Sequence, residues 1–349
     1  MRSAVLAAVL AGTDARAAMV EVGAAGHAYN PAWSPDGRWL AFELDPYEGS
    51  VDLYVVAVDG TRTTAAPRRI ALPGSTSAFS TQASVAASPM WHPGGHLLFE
   101  GSNAGGTMRL YYWAPDRPQA MELLSATKAA GDLSWPAISS DGKRLAFVSD
   151  ATGNGDLYVW TQATNEVALL VESTFSEMAP RFEPSSERIA YSRKNLGGED
   201  LFVADASGTA SAWAGGNGDQ TRPVWADSGI VYFTNERGAD HWDIAIASGP
   251  KSKRIVARDV RLPLRAPPAL SPDGKWVAYA VADPKRSDRI VLAAIDGSRT
   301  TEVPTDLVAC GEPAIGRSGD KWVLAFTALP HEGADWRQLQ LVDVTGQLR

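Results

Sequence analysis

The chain has 349 residues, 45% of them hydrophobic and 21% charged, with a formal net charge of −8. That balance suits one large domain or two ordinary ones around a sizeable core, and the acidic excess argues against nucleic acid or an anionic lipid surface as partner. The single cysteine, Cys310, excludes an internal disulfide and a cysteine-based zinc cluster.

The first element in chain order is a short apolar run from Ala4 to Gly12, behind Arg2 and ahead of Ala15-Arg16-Ala17. It fits a secretory leader cleaved after Ala17 and is too short to span a bilayer. The alternative is a disordered or helical extension of a cytosolic protein. No cysteine follows the run and no other segment resembles a membrane span, so neither a lipid anchor nor membrane insertion is expected. Residues 1–17 are therefore read as a leader and 18–349 as the folded domain.

From Asn30 onward the chain repeats itself. A shared proline recurs at Pro31, Pro89, Pro136, Pro180, Pro223, Pro268 and Pro313, spaced near forty-five residues after a longer first interval. Each copy continues with a turn like Pro35-Asp36-Gly37, an apolar run, a polar loop, and a second apolar run such as Asp52-Leu53-Tyr54-Val55. A third apolar piece follows most of these. The runs are short, rich in β-branched and aromatic residues, and bounded by Gly, Pro, Asp and Ser, which predicts strands. Asp-Gly and Ser-Gly pairs supply the positive φ that tight hairpins need. Middle strands apolar on both faces belong in a sheet covered on both sides. The fold class is accordingly all-β: a seven-bladed β-propeller of four-stranded antiparallel blades, with six blades the alternative if one unit is degenerate. The last unit stops after its third strand, so Ala18 to Val22 is expected to supply its fourth and close the ring.

The stretch Pro31-Ala32-Trp33-Ser34-Pro35-Asp36-Gly37-Arg38-Trp39-Leu40-Ala41-Phe42, with Asp52-Leu53-Tyr54-Val55 after it, resembles the WD40-like Pro-Asp repeat of the TolB-like β-propeller family. Leu270 to Tyr279 is a close second copy. The middle units depart more: Glu183 to Glu187 has no Asp-Gly, and Trp91 is followed by His-Pro-Gly-Gly. The resemblance runs from about Met19 to Arg349 and is more specific for fold than for function. It implies a propeller-only relative without the α/β domain that precedes the propeller in the family's founding member, a periplasmic protein. Similar repeats occur in the propellers of prolyl oligopeptidases and of oligogalacturonate lyase.

Catalytic signatures are sparse. No Gly-x-Ser-x-Gly occurs, and Gly316-Arg317-Ser318-Gly319 falls in a unit turn. His92 and His96 lie in a strand–turn–strand rather than on a helix, so their spacing does not favour a metal. His27, His241 and His331 near loop ends would make a metal site only if they converged with a carboxylate. The recurrent Asp36, Asp141 and Asp273, and Asp52, Asp156, Asp200 and Asp243, serve turns and strand starts. No catalytic residue, metal or cofactor is assigned.

Where the copies disagree, function has room. The residue before the shared proline varies, and Asn30, Trp135, Arg222 and Glu312 are expected to rim the channel mouth, either binding a peptide or small polar ligand or solvating a water-filled channel. The longer first interval, Pro73 to Ala87, is either a solvated loop or a flap over the mouth with Phe79 as its aromatic. The loops at 45–52 and 331–336 are expected on the same face. The resulting expectation is a non-catalytic, monomeric scaffold, periplasmic or secreted in a bacterium, that binds a protein or peptide through its loop face. The alternative is a propeller enzyme, such as a metal-dependent oligogalacturonate-type lyase or a hydrolase-associated propeller.

Overall fold

The computed structural model describes residues 17–47, 49–73, 84–102, 106–281 and 287–348. The expected leader, save Ala17, and the flap residue Phe79 lie outside them. Among the described residues the chain forms seven antiparallel units, six of four strands and the first of five, the fifth and sixth joined by the single pairing of Val260 with Val281. The repeat seen in the sequence is thus one sheet per copy. The third unit is typical, with strands Leu133–Ile138, Arg144–Ser149, Asp156–Thr161 and Glu166–Val171 in that order.

The last unit joins Val308–Ser318, Lys321–Leu329 and Gln338–Asp343 to the N-terminal strand Ala18–Met19. Ala18 pairs with Leu341 and Met19 with Gln340, and the Val20 amide donates to the Leu339 carbonyl at 2.9 Å. The expected fourth strand is therefore present, though its ladder is two residues long.

Core residues fill the spaces between neighbouring sheets. Phe99, Trp91 and Trp113 lie buried between the first and second units, and Leu40, Phe42, Val323 and Leu341 between the first and last. Each such side chain contributes about 1.5–3 kcal/mol through removal from water. Direction comes from tryptophan. In the Pro-x-Trp copies, Nε1 of Trp33, Trp91 and Trp225 donates to the carbonyls of Ala314, Ala32 and Arg181, at 3.2, 2.9 and 3.0 Å. Every one of these acceptors directly follows the shared proline of the preceding unit, so the indole of one copy reads the backbone of its neighbour.

The Ser-Pro-Asp-Gly turns are built alike. Ser34 Oγ donates to Asp36 Oδ1 at 2.6 Å, and Ser34 Oγ and Asp36 Oδ1 accept the amides of Trp39 and Arg38. Ser139 with Asp141, and Ser271 with Asp273, repeat the arrangement. The aspartates that open third strands also act within their sheets: Asp156, Asp200 and Asp243 accept the amides of Ser173, Gly216 and Asp259 from the outer strand or its exit. These acids serve the fold, as their repetition predicts.

Candidate functional site

The residue before the shared proline carries a backbone feature that repetition alone does not reveal. Asn30, Ser88, Trp135, Ala179, Arg222 and Glu312 have φ between 47° and 57°. A non-glycine residue rarely adopts this region, and one preceding proline is normally extended. Each sits at a register break in the innermost strand, as between Tyr29 and Ala32 or Ser134 and Ala137. Where the amide donor of this bulge finds a side-chain acceptor, that acceptor is a buried glutamate from the preceding unit. Ser88 N donates to Glu43 Oε1 at 2.7 Å and Trp135 N to Glu100 Oε1 at 2.6 Å.

The sixth copy breaks the pattern. Its equivalent residue is Pro267, which has no amide hydrogen and a fixed negative φ. The innermost strand there shrinks to Ala269–Leu270. The chain ahead of it, from Arg261 to Pro268, joins no strand. It is held instead by two of the residues expected at the rim, Arg222 and Glu312. Arg222 donates from Nη1 to the carbonyls of Pro263 at 2.5 Å and Ala266 at 3.3 Å, and from Nη2 to Leu264 at 3.2 Å. Glu312 Oε1 accepts the Leu264 amide at 2.7 Å. Arg265 then reaches Glu100 Oε2 at 3.4 Å.

Beside the plug's own Arg265 lie two acids and one cation: Glu43, Glu100 and Arg181. Burial raises both glutamates above the usual carboxyl range, opposed by hydrogen bonds from Asn30 and Ser88 to Glu43, from Trp135 to Glu100, and by the charge of Arg265. Burial lowers Arg181 to about 10, opposed by Glu100. The cavity that Asn30, Ser88, Trp135, Arg181 and Arg265 line measures about 40 Å³. A water needs about 10–15 Å³ measured this way, whereas small-molecule sites run to about 300 Å³ or more. With the plug seated, this cavity has room for waters only.

The sequence-predicted residues therefore divide. Asn30 and Trp135 line one small cavity together, with Asn30 Nδ2 bonded to Glu43 at 2.8 Å. Arg222 and Glu312 face the plug rather than an open mouth. Glu43, Glu100, Arg181 and Arg265 were not singled out from sequence, although a signal existed. At the position of Glu43 and Glu100, after the second-strand aromatic, the other copies carry Val148, Ser192, Phe233, Ala280 and Thr327.

Two further features adjoin the plug on the loop face. A polar pocket of about 350 Å³ is lined by Arg261, Pro263, Asp288, Gly311, Glu312 and Arg337, among others. Beyond Arg337, whose amide donates to His27 Nδ1 at 3.1 Å, lies an aromatic cluster. The His27 ring stands 5.0 Å from Tyr47 and 5.2 Å from Trp336, and the hydroxyls of Tyr29 and Tyr47 are 3.2 Å apart. Tyr47 is 64% exposed. The loops expected to share a face, at 45–52 and 331–336, thus meet here.

The histidines have separate duties. His241 Nδ1 lies 3.2 Å from Asp259, His331 Nδ1 2.9 Å from the Glu332 carbonyl, and His92 Nε2 3.0 Å from the Gly142 carbonyl. Among the described residues no three His, Cys, Asp or Glu side chains gather as a metal-binding group.

Comparison with known proteins places this geometry. A family model described as the TolB beta propeller domain matches residues 125–349. Among solved structures, TolB from Acinetobacter baumannii aligns with a TM-score of 0.57 and 18% identity, over 80% of this chain and 67% of that one. The oligogalacturonate lyase of Vibrio parahaemolyticus aligns with a TM-score of 0.61 and 11% identity, over 97% and 96%. At such identities these two likenesses concern the fold. An uncharacterized peptidase of Bacillus subtilis (strain 168), YuxL, is 26% identical over 166 residues, which are 44% of this chain and 24% of that protein. The chain thus spans about a quarter of that relative's length.

Proposed function

Because the chain belongs to the TolB β-propeller domain family, we propose that it is a non-catalytic scaffold of the bacterial cell envelope that binds a protein or peptide partner through its loop face and channel mouth. The observation that supports this reading is a continuous recognition surface. Plug and pocket share Pro263 and Glu312, and pocket and aromatic cluster meet at Arg337. A surface with backbone-reading groups at one end and exposed aromatic rings at the other suits an extended peptide. A rigid ring that displays such groups loses little freedom on binding. Export by the leader at residues 1–17 belongs to the same proposal and is tested by sequencing the N-terminus of the mature protein. The scaffold reading is tested by capture from envelope extract with the wild type, Arg222→Ala and Glu312→Ala. Partners held by the wild type and lost from both variants support it, and an unchanged partner set counts against the channel mouth.

One observation favours a second reading, a propeller that serves a hydrolase: the similarity to the Bacillus peptidase. Capture of a peptide-hydrolysing partner from extract by the purified chain would support it, and capture without any such activity would count against it.

A further inference from the structure

We propose that the segment Pro263–Ala266 is a resident stand-in for the partner's own chain, and that the channel mouth is built to take a peptide bearing an arginine; this rests on the scaffold reading above. The segment is held as a bound peptide is held. Its carbonyls at Pro263, Leu264 and Ala266 accept from one guanidinium, Arg222, and its Leu264 amide donates to one carboxylate, Glu312. Backbone groups carry no sequence information, so any extended chain can satisfy these contacts. Specificity comes from Arg265, whose guanidinium points at Glu100, a side chain 4% exposed. Glu43 lies close enough for its charge to act on Arg265 and on Glu100 alike. Two buried carboxylates share the site with one half-buried arginine, Arg181, so a second cation is needed for neutrality.

The plug is also open to exchange. Arg265 keeps 43% of its side chain exposed, and Leu264 is 54% exposed. Pro267 releases the segment from the innermost strand, so its departure breaks no sheet ladder. An incoming peptide would replace three carbonyls, one amide and one guanidinium with the same groups of its own. A partner without a cation would leave Glu100 with only the Trp135 amide and Arg181 to answer its charge, so an arginine is favoured over a neutral side chain.

The test uses the synthetic peptide acetyl-Arg-Leu-Pro-Leu-Arg-Ala-Pro-amide, a copy of residues 261–267, and a control whose second arginine is alanine. Titration calorimetry is run on the wild type and on Arg265→Ala. The variant is expected to bind the arginine peptide about tenfold or more tighter than the wild type does, because its plug keeps the backbone contacts but no longer competes for Glu100, and to bind the control at least that much more weakly. A second arm needs no variant: saturating arginine peptide should speed hydrogen exchange at the Leu264 amide of the wild type, and the control should not. If Arg265→Ala fails to fold, this arm decides alone. Equal affinity for the two peptides, or unchanged exchange at Leu264, overturns the proposal. Were envelope partners still lost from Arg222→Ala and Glu312→Ala, the scaffold reading would stand while arginine mimicry fell.

Discussion

Gly37 and Gly274 offer a controlled comparison inside one molecule. Both end a Ser-Pro-Asp-Gly turn and both have φ of +66°. Their surroundings differ. A Cβ on Gly37 would lie 1.6 Å from the Arg317 carbonyl oxygen and 2.6 Å from its carbon, whereas one on Gly274 would meet nothing nearer than the Asp227 amide at 3.9 Å. Replacing either by alanine puts a side chain in the left-handed region at about 1–2 kcal/mol. Gly274→Ala should stop there. Gly37→Ala must also push on a backbone carbonyl of the last unit, fixed by the pairing of Arg317 with Trp322. Overpacking of this kind adds about 1–3 kcal/mol. Urea unfolding of the two variants against the wild type measures the difference, with the midpoint of Gly37→Ala expected well below that of Gly274→Ala. Coincident midpoints would refute the close packing of the first unit's turn on the last, and with it the argument that the two ends of the repeat are neighbours.

Three other predictions test the site and its frame. Ala179 holds φ of 50° before Pro180, so Ala179→Gly should leave stability unchanged or raise it by about 0.5 kcal/mol, while glycine at buried Ala137, after the proline, should lower it by about 1 kcal/mol; thermal melts that rank the two the other way would show that the bulge is unstrained. Glu100→Gln should cost about 1–3 kcal/mol in denaturant unfolding, because Trp135 N and Arg265 lose a charged acceptor, and should cost less in an Arg265→Ala background; equal losses in both backgrounds would mean that the pair does not interact. Glu177 is buried with one oxygen unbonded, and burial raises its carboxyl to about 7 against the opposing Ser173 and Arg193. The folded state thus binds this proton more tightly than the unfolded one, so the group's contribution is full below its unfolded value near 4.5 and is lost as pH rises through about 7. Melting temperatures of Glu177→Gln and wild type should accordingly shift in the variant's favour from pH 5 to pH 8, and a constant offset would rule this out.

What was legible in the sequence is what each copy does with residues close to itself. The spacing of the shared proline yields the seven units, and Ser34 with Asp36, two residues apart, already implies the turn they build. Asp156 at the head of a third strand was read as structural, and its bond to Ser173 lies within its own unit. The site was harder because its contacts join distant copies. Arg265 and Glu100 are 165 residues apart, and no periodicity predicts that pairing. The left-handed bulge escaped notice for another reason: a residue before proline is ordinarily extended, and only packing in the ring overrides that preference. Variation at Asn30, Trp135, Arg222 and Glu312 was read as a sign of function, yet six unlike side chains share one backbone angle there. The conformation is what the fold holds fixed, and the side chains are free to diverge around it.

Pro267 has an effect beyond freeing a segment. A ring of like units presents itself to a visitor in nearly the same way at every turn of its axis, so a partner arriving from above would meet seven near-equivalent orientations. The copy that cannot form the bulge removes that degeneracy. Its shortened strand and crossing segment mark one direction around the ring, much as a notch indexes a wheel, and whatever settles on the loop face is given an azimuth as well as a place.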